Sequence, residues 1–445
     1  ENFDSLFRRV FVNMSTLQEV ESGLNVMWVL FCAIFIVMMQ AGFAMKEAGS
    51  VQHKNSVGIL SKNVLNGFVS VICYWILGYG FAMGNTKGGF IGVNLFGLAS
   101  DHFDVGDASA TNPLEFQYFF IQWAYAAVAV TIIGGALAER CKLQTYLIVA
   151  FFVSIWIFPI IVHWCWGQGW LSPFANQRYD YLFYGKESNN FIDMAGSGVV
   201  HTVGGVAALV GAMALGARKG RFEGKTFKKN SAPLAVLGSL ILWIAYYGFN
   251  LGSTYGVVGS RGMLAGKIAA ITTLSAAFSG MTMLLLQTAT NSFDVVELGN
   301  AVIAGLVAIS AGCGVVEMWG AMLTGIGACL FFFGASKVVE SMKIDDAVNA
   351  FAVHGAAGIW GVLAVGIFGS DDLAAFAGYY GSAMGNHPFR TGEQFGVQLV
   401  GILCIVAWTF GWSALLFFGL KSTVGIRVED AQEEKGDDEC ALCQA

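Results

Sequence analysis

Charged side chains are scarce in this chain, because Asp, Glu, Lys and Arg together make up 12% of its 445 residues. Soluble globular domains carry about 25% charged residues, so this chain has too few polar groups to cover a surface in water. The composition therefore excludes an ordinary soluble protein. A net charge of −6 is small for this length, and it argues against nucleic acid as a partner.

Proline is also scarce, at 5 residues, whereas glycine is frequent, at 57. Few prolines permit long uninterrupted helices, and many small residues let those helices pack closely, as helix bundles in a bilayer do. Hydrophobic residues make up 56% of the chain, and the mean hydropathy is +0.63. These values predict an all-α membrane protein.

The chain lacks the cysteine and histidine spacings of a structural metal site, because no Cys-x-x-Cys is followed by a second one or by a His pair. Seven of the nine cysteines fall in or beside apolar segments, where a small buried side chain is the ordinary interpretation. Cys440 and Cys443 form one Cys-x-x-Cys at the C-terminus, for which metal or lipid binding is the weaker alternative. No nucleotide loop or nucleophile–base set is present either, so we predict no enzyme, no metal and no cofactor.

Long apolar runs dominate what is present. A helix needs about 20 apolar residues to cross the hydrocarbon of a membrane. Eleven segments satisfy this requirement, of which the eighth and ninth meet around Glu317 and are the hardest to separate. The predicted spans are 24–45, 63–84, 117–138, 144–165, 196–217, 233–252, 264–287, 299–316, 318–336, 350–369 and 395–420.

Lys and Arg collect on one set of loops, and this asymmetry predicts the orientation. If the N-terminus is outside, the inner loops and the tail hold 16 of the 24 basic residues, and the outer segments hold the other 8. We therefore expect a multi-pass membrane protein with its N-terminus outside and its C-terminus in the cytoplasm. The membrane that we expect is the plasma membrane. Its expected parts are an extracellular segment 1–23, a transmembrane domain 24–420 and a cytoplasmic tail 421–445. The expected inner loops are 46–62, 139–143, 218–232, 288–298 and 337–349.

One short pattern occurs twice. Asp193 precedes His201 by eight residues, Asp346 precedes His354 by eight residues, and each His follows a Val and precedes glycines. The first pattern opens the fifth span and the second opens the tenth. Two five-helix halves of inverted topology, followed by an eleventh helix, would make these spans counterparts with a site between them.

Histidine inside an apolar helix has two interpretations. Either each ring makes a structural hydrogen bond between helices, or the two rings together serve transport. A charged imidazole is costly at that depth, so both rings should be largely neutral. A neutral imidazole donates from one nitrogen and accepts at the other. Because His201 and His354 are a matched pair, we favour a pore in which they guide a small polar guest and relay protons.

Asp193 and Asp346 stand where an Asp can cap the free amides of a helix start and complement its dipole. We predict this structural role for both. For Asp193 we add, as a secondary hypothesis, a share in attracting a cation from the outer face.

At these residues the sequence resembles the ammonium transporter (Amt/Mep/Rh) superfamily, and within it the plant-like eukaryotic type of the Amt branch. The similarity runs from about residue 24 to 430 and rests on blocks whose order agrees with the predicted spans. They are AGFAMKEAGSVQHKN (41–55), QWAYAAVAVTIIGGALAER (122–140), HWCWGQG (163–169), DMAGSGVVHTVGG (193–205), YGFNLGS (247–253), GLVAISAGCGVVE (305–317) and DDAVNAFAVHGAAGIWG (345–361).

The resemblance implies a homotrimer in the lipid membrane with one pore per subunit, each subunit built from two inverted halves and a last helix. It implies that His201 and His354 are the twin pore histidines. It also implies that Trp166 and Ser253 recruit ammonium, or its analogue methylammonium, at an outer site, and that Phe249 is one of two rings that close the pore below it.

Two positions depart from the family's pattern. Tyr125 stands where the second gate ring is usually Phe, and it adds a hydroxyl next to the recruitment site. Ile121 stands where bacterial members carry an aromatic residue. The tail begins like the family's regulatory region at 425–428 and diverges at 436–440. It identifies no regulatory partner.

Three functions stay open at this point. The first is an ammonium transporter that moves net charge, which the residues favour. The second is a sensor of ammonium with the same fold, whose expected mark is a signalling domain after the last span. The third is a neutral gas channel of the Rh type, which shares the twin histidines, whereas Trp166 and Ser253 favour the Amt type.

Overall fold

The computed structural model describes residues 3–99, 103, 115–174, 190–379 and 388–439, with side chains described from residue 17 onward. Cys440 and Cys443 lie outside the described residues. Seven other cysteines are free thiols, and six of these are buried, in keeping with their interpretation as small apolar side chains.

Eleven helices of the described chain are long and apolar enough to cross a membrane, which confirms the predicted architecture. They are α1 Phe3–Ser50, α2 His53–Met83, α3 Phe116–Leu137, α4 Leu143–Cys165, α5 Ser197–Leu215, α6 Ala232–Gly252, α7 Ser260–Ala289, α8 Val295–Gly312, α9 Met318–Ser341, α10 Phe351–Phe368 and α11 Glu393–Thr423.

α1 extends beyond the predicted span 24–45 at both ends. The helix passes through residues 23 and 24 without a break, so the division into an N-terminal segment and a membrane domain does not coincide with a helix end. The helix also continues past residue 45 as far as Ser50, and it buries Lys46 and Glu47, which the sequence placed in the first inner loop.

Short elements join the long helices. A small antiparallel hairpin pairs β1 Thr86–Lys87 with β2 Ile91–Gly92 after α2. Further short helical stretches are Phe96–Leu98, Asp371–Phe376, Pro388–Thr391, Asp430–Lys435 and Asp437–Glu439.

The loops 138–142, 216–231 and 342–350 meet at one end of the bundle, together with the chain that follows α11. We call this the tail end. Buried Arg218 ties the three loops together, because its guanidinium lies 2.9 Å from the Glu139 carboxylate and 2.7 Å from that of Asp345. Charges at this depth are stable only when paired, so this cluster fixes the loops relative to one another.

The segment after α11 packs against the same end. The amide of Val428 donates to the carbonyl of Arg140 at 3.0 Å. The Asp437 carboxylate then lies 2.9 Å from the Lys62 ammonium of α2, and both side chains are buried. The described part of the tail therefore covers the tail end of its own chain.

The helices α5 and α10 are the structural counterparts that the repeated pattern predicts. Each begins with a π-helical stretch that contains its histidine, Ser197–Thr202 in α5 and Phe351–Ala356 in α10. Because successive spans alternate in direction, α10 begins at the tail end and α5 begins at the opposite end. The two halves of the bundle are thus inverted copies with the histidines where the copies meet.

Small residues set the distance between these two helices. A Cβ added to Gly205 in α5 would overlap the amide nitrogen of Gly355 in α10, and one added to Gly358 would overlap the carbonyl of Ser197. Backbones that touch in this way are typical of helices packed in lipid. This contact brings the two histidines within reach of each other.

Candidate functional site

The two predicted pore histidines form a direct pair in the middle of the bundle. The Nδ1 atoms of His201 and His354 are 3.3 Å apart, and the rings stack with centroids 5.3 Å apart at an interplanar angle of 26°. His201 is fully buried and His354 is 3% exposed. The structure therefore brings together two side chains that are 153 positions apart in the chain.

Aromatic rings enclose the pair. The Phe249 ring stacks on His201 with a centroid separation of 5.0 Å, and the Phe43 ring lies 5.5 Å from that of His354. On the other side of Phe249, Tyr125 meets it edge-on at 4.8 Å and 89°. Phe249 and Tyr125 are both fully buried, so two crossed rings separate the histidines from the opposite end of the bundle.

Beyond these rings a cavity of about 380 Å³ opens at the end opposite the tail. We call it the entrance cavity. Trp166 at the end of α4 and Ser253 after α6 both line it, as the resemblance implies for a recruitment site. Its other lining residues are Tyr79, Met83, Glu115, Tyr118, Gln122, Phe174, Met194, Tyr255, Ala377 and Tyr379.

The Tyr125 hydroxyl connects the floor of this cavity to the rings below. It donates to the carbonyl of Phe249 at 2.9 Å and lies 3.1 Å from the Ser253 hydroxyl. The Ser253 hydroxyl can donate either to the Tyr125 oxygen or to the same carbonyl of Phe249, at 3.4 Å, so its hydrogen is used within the protein in both cases. The Ser253 oxygen then keeps at least one lone pair for a cation that donates hydrogen bonds.

Trp166 is held in place at the edge of the entrance cavity. Its indole N–H donates to the carbonyl of Asp193 at 2.6 Å, and its ring lies 5.4 Å from that of Tyr125. A ring face presented beside a hydroxyl oxygen suits a small cation. Ile121 is fully buried against Gly252 and does not line this cavity, so no second ring face enters from that position.

Asp193 and Asp346 accept backbone amides at the starts of α5 and α10. Asp193 accepts four amides, those of residues 196 to 199, at 2.8 to 2.9 Å. Asp346 accepts the amides of Ala350 and Phe351 at 2.9 and 2.7 Å. Burial raises the pKa of each carboxyl to about 6, and the amides offset part of this shift. Both oxygens of Asp193 are engaged in this way, so its geometry is that of a helix cap.

Two buried residues near the histidines, Tyr246 and Lys46, are not predicted by the sequence pattern. The Tyr246 hydroxyl lies 3.1 Å from Nε2 of His201, and Tyr246 is fully buried. Its signal was its position three residues before Phe249, which places both rings on one face of α6. Buried Lys46 lies one turn from Phe43 and donates to the side-chain amide oxygen Oδ1 of Asn300. A Lys within a spanning helix indicates a paired or functional position, but the predicted span ends at residue 45 and leaves Lys46 outside it.

Eleven spanning helices, two inverted halves and a buried imidazole pair behind a ring-closed cavity define a membrane transporter rather than an enzyme. The chain belongs to the Ammonium Transporter Family, whose model matches residues 27–443.

Known relatives agree with this placement. The chain is 36% identical over 413 residues to ammonium transporter 1 member 1 of Arabidopsis thaliana, with 88% of this chain and 79% of that protein aligned. Among solved structures it is similar to a protein described as a sensor Amt protein, at 32% identity and a TM-score of 0.82, with 95% of this chain and all of that chain covered. It is also similar to Mep2 of Saccharomyces cerevisiae, at 26% identity and a TM-score of 0.79, with 92% and 88% of the two chains covered.

Proposed function

We propose that this protein conducts ammonium across the plasma membrane, as ammonia plus a proton, through the passage that holds His201 and His354. The observation that carries the proposal is the direct Nδ1–Nδ1 contact of two buried imidazoles. An uncharged imidazole pair offers hydrogen bonds to a small polar guest in a place where water is excluded, and it can accept and release a proton.

Recruitment is assigned to Trp166 and Ser253 in the entrance cavity. The ring face attracts a cation, and the Ser253 oxygen accepts a hydrogen bond that ammonium can donate and potassium cannot. Tyr125 supports the site by orienting the Ser253 hydroxyl. This division of roles rests on the lining of the cavity and on the resemblance of these residues to the family's pattern.

Selection is assigned to the region below. Ammonium and potassium are similar in size, so a narrow ring cannot separate them by size alone. Phe249 and Tyr125 close the passage to hydrated ions, and an apolar lumen is costly for a cation that keeps its charge. Ammonium can leave its proton behind and continue as ammonia, whereas potassium has no neutral form.

The remaining assembly and topology are proposals of the same kind. We assign the tail end to the cytoplasm because the basic residues of the loops collect there. We assign a homotrimer because family resemblance implies it. Native mass spectrometry of the detergent-solubilised protein tests the trimer, and protease access in sealed vesicles tests the orientation.

Currents in proteoliposomes on a solid support test the transport function. We expect ammonium and methylammonium, but not potassium, to evoke a transient current. If the intact, correctly folded protein gives no current with ammonium, the electrogenic proposal fails. Flux that is independent of membrane potential would instead favour the gas channel.

A sensing role is the second candidate, since one similar solved structure is described as a sensor protein. Full growth rescue of a cell that lacks its own ammonium transporters would count against a pure sensor. Binding of ammonium without growth rescue or current would favour it.

A further inference from the structure

Tyr246 forms a hydrogen bond with Nε2 of His201, the ring nitrogen that does not face His354. Its hydroxyl lies 3.1 Å from Nε2 of His201, while Nδ1 of His201 faces Nδ1 of His354. In the described part of the chain, the Tyr246 hydroxyl has no other hydrogen-bond partner, and Nε2 of His354 has none. The three residues thus form one chain of hydrogen bonds that starts at a hydroxyl and ends at an open nitrogen.

The positions of the hydrogens on the two histidines follow from the chemistry of the groups. Both imidazoles are buried without a carboxylate beside them, so both are uncharged and each carries one N–H. The Nδ1–Nδ1 contact needs one donor and one acceptor. One ring is therefore protonated at Nδ1, and the other is protonated at Nε2.

Two arrangements satisfy this condition. In the first, Tyr246 donates to His201, His201 donates from Nδ1 to His354, and His354 carries its hydrogen on Nε2. In the second, every bond is reversed, Tyr246 accepts, and Nε2 of His354 is left as an acceptor.

The Tyr246 hydroxyl decides between these arrangements. In the second arrangement its own hydrogen would be buried without an acceptor, which costs the full desolvation of a donor. In the first arrangement that hydrogen is bonded, and the donor without a protein partner is the Nε2–H of His354. His354 is 3% exposed and can meet a guest there, whereas Tyr246 is fully buried. The first arrangement is therefore favoured.

We infer that Tyr246 is a positioning residue that fixes the tautomers of both histidines, so that His354 presents an Nε2–H donor to the guest. Ammonia accepts this bond with its lone pair, whereas ammonium has four N–H donors and no lone pair. The inference rests on the proposed function and deepens it, because it names neutral ammonia as the species held at His354.

Solid-state nitrogen NMR of the protein labelled with nitrogen-15 histidine tests the tautomers directly and needs no transport. We expect the intact protein to show His201 protonated at Nδ1 and His354 protonated at Nε2, and the reverse assignment would overturn the inference. In Tyr246→Phe, which keeps the ring and removes the hydroxyl, we expect a mixture of both arrangements. An unchanged single arrangement in Tyr246→Phe would overturn the inference.

The matched control is Tyr247→Phe. Tyr247 is the next residue of α6, and its hydroxyl lies 2.7 Å from that of Thr273, away from the histidines. The control removes one hydroxyl from the same turn, and we expect its histidine spectrum to match that of the intact protein. If both variants change the spectrum alike, a general disturbance of α6 is the cause and the inference fails.

Ammonium-evoked current in proteoliposomes tests the consequence for the guest. We expect Tyr246→Phe to lower the current about fivefold, the effect of one neutral hydrogen bond, and Tyr247→Phe to leave it unchanged. We expect Tyr246→Trp to restore part of the current, because an indole N–H can only donate.

The two measurements separate this inference from the proposed function. A mixed spectrum without any loss of current would overturn the assignment of neutral ammonia to His354. If the intact protein passes no current at all, the proposed function fails, while the spectra still decide which arrangement the histidines adopt.

Discussion

Gly205 in α5 lies directly against Gly355 in α10, so closely that a Cβ on Gly205 would overlap the amide nitrogen of Gly355. Gly355 follows His354 in the chain, and Gly205 lies about one helical turn after His201. The contact between the two backbones therefore sets the distance between the two imidazoles.

Gly205→Ala should push α5 away from α10. We expect it to destabilise the fold by about 1–3 kcal/mol, as overpacking of a close contact does, and to abolish most of the ammonium current. Thermal unfolding in detergent measures the first effect, and proteoliposome current measures the second.

Gly411→Ala is the matched control, because Gly411 in α11 is exposed and has no atom within 4 Å of an added Cβ. It should unfold at the same temperature as the unaltered protein or slightly higher. Equal behaviour of the two variants would contradict the importance of the contact between α5 and α10.

His354→Ala should remove the ammonium-evoked current, by about tenfold or more, because the guest loses its hydrogen-bond partner and the relay loses one member. The exposed His53 provides the comparison, and His53→Ala should conduct normally. An undiminished current in a correctly folded His354→Ala protein would refute the role of the pair.

Ser253→Ala should weaken recruitment without closing the passage. We expect the half-saturating ammonium concentration to rise about fivefold, as the loss of one hydrogen bond predicts, while the maximal current changes little. A concentration series of evoked currents measures both quantities.

Ser239→Ala removes a buried hydroxyl from the same helix, one that donates to the Ala235 carbonyl well before the entrance cavity. This control should leave the half-saturating concentration unchanged. A parallel rise in both variants would point to α6 as a whole rather than to the recruitment site.

Acid should lower the stability of the fold through the buried ion pair at the tail end. Burial acts to raise the pKa of Asp345, but its bonds to Arg218 outweigh burial and lower it to about 2. An unfolded Asp titrates near pH 4, so this carboxylate stabilises the fold above about pH 4 and loses its contribution as the pH falls toward 2. Unfolding temperatures measured across this range should drop by the equivalent of about 2 kcal/mol.

Asp345→Asn should remove that drop, at the cost of lower stability at neutral pH, because Arg218 loses a buried partner. Asp430→Asn is the comparison, since Asp430 is an exposed partner of Lys219. If Asp345→Asn retained the full acid response, another carboxyl would have to be its source.

Much of the fold could be predicted because each span carries its own signal. A helix in lipid must satisfy its backbone internally and present an apolar surface over its whole length, so hydropathy alone locates it. The histidine pair could be predicted as well, because the same sequence pattern occurs in both inverted halves, at 193–201 and at 346–354.

Other features depend on contacts between distant segments, which no local pattern records. Tyr246 reads as one more aromatic residue of an apolar helix until α5 places His201 beside it. The sequence predicts a loop at Lys46 because a charge ordinarily ends an apolar run, whereas the side chain of Asn300 in α8 provides a partner for Lys46 inside the bundle. The π-helical starts of α5 and α10 likewise have no signature in the sequence.

The glycine contacts between α5 and α10 also affect the rate of transport. Carriers that rock two halves about a central site need those halves to slide past each other, and backbones locked together at Gly205 and Gly358 resist such sliding. Turnover would then be set by how fast a guest enters, sheds its proton and leaves. The turnover rate should therefore depend only weakly on temperature, as in a pore of fixed shape. A carrier that changes conformation in every cycle would show a steep dependence.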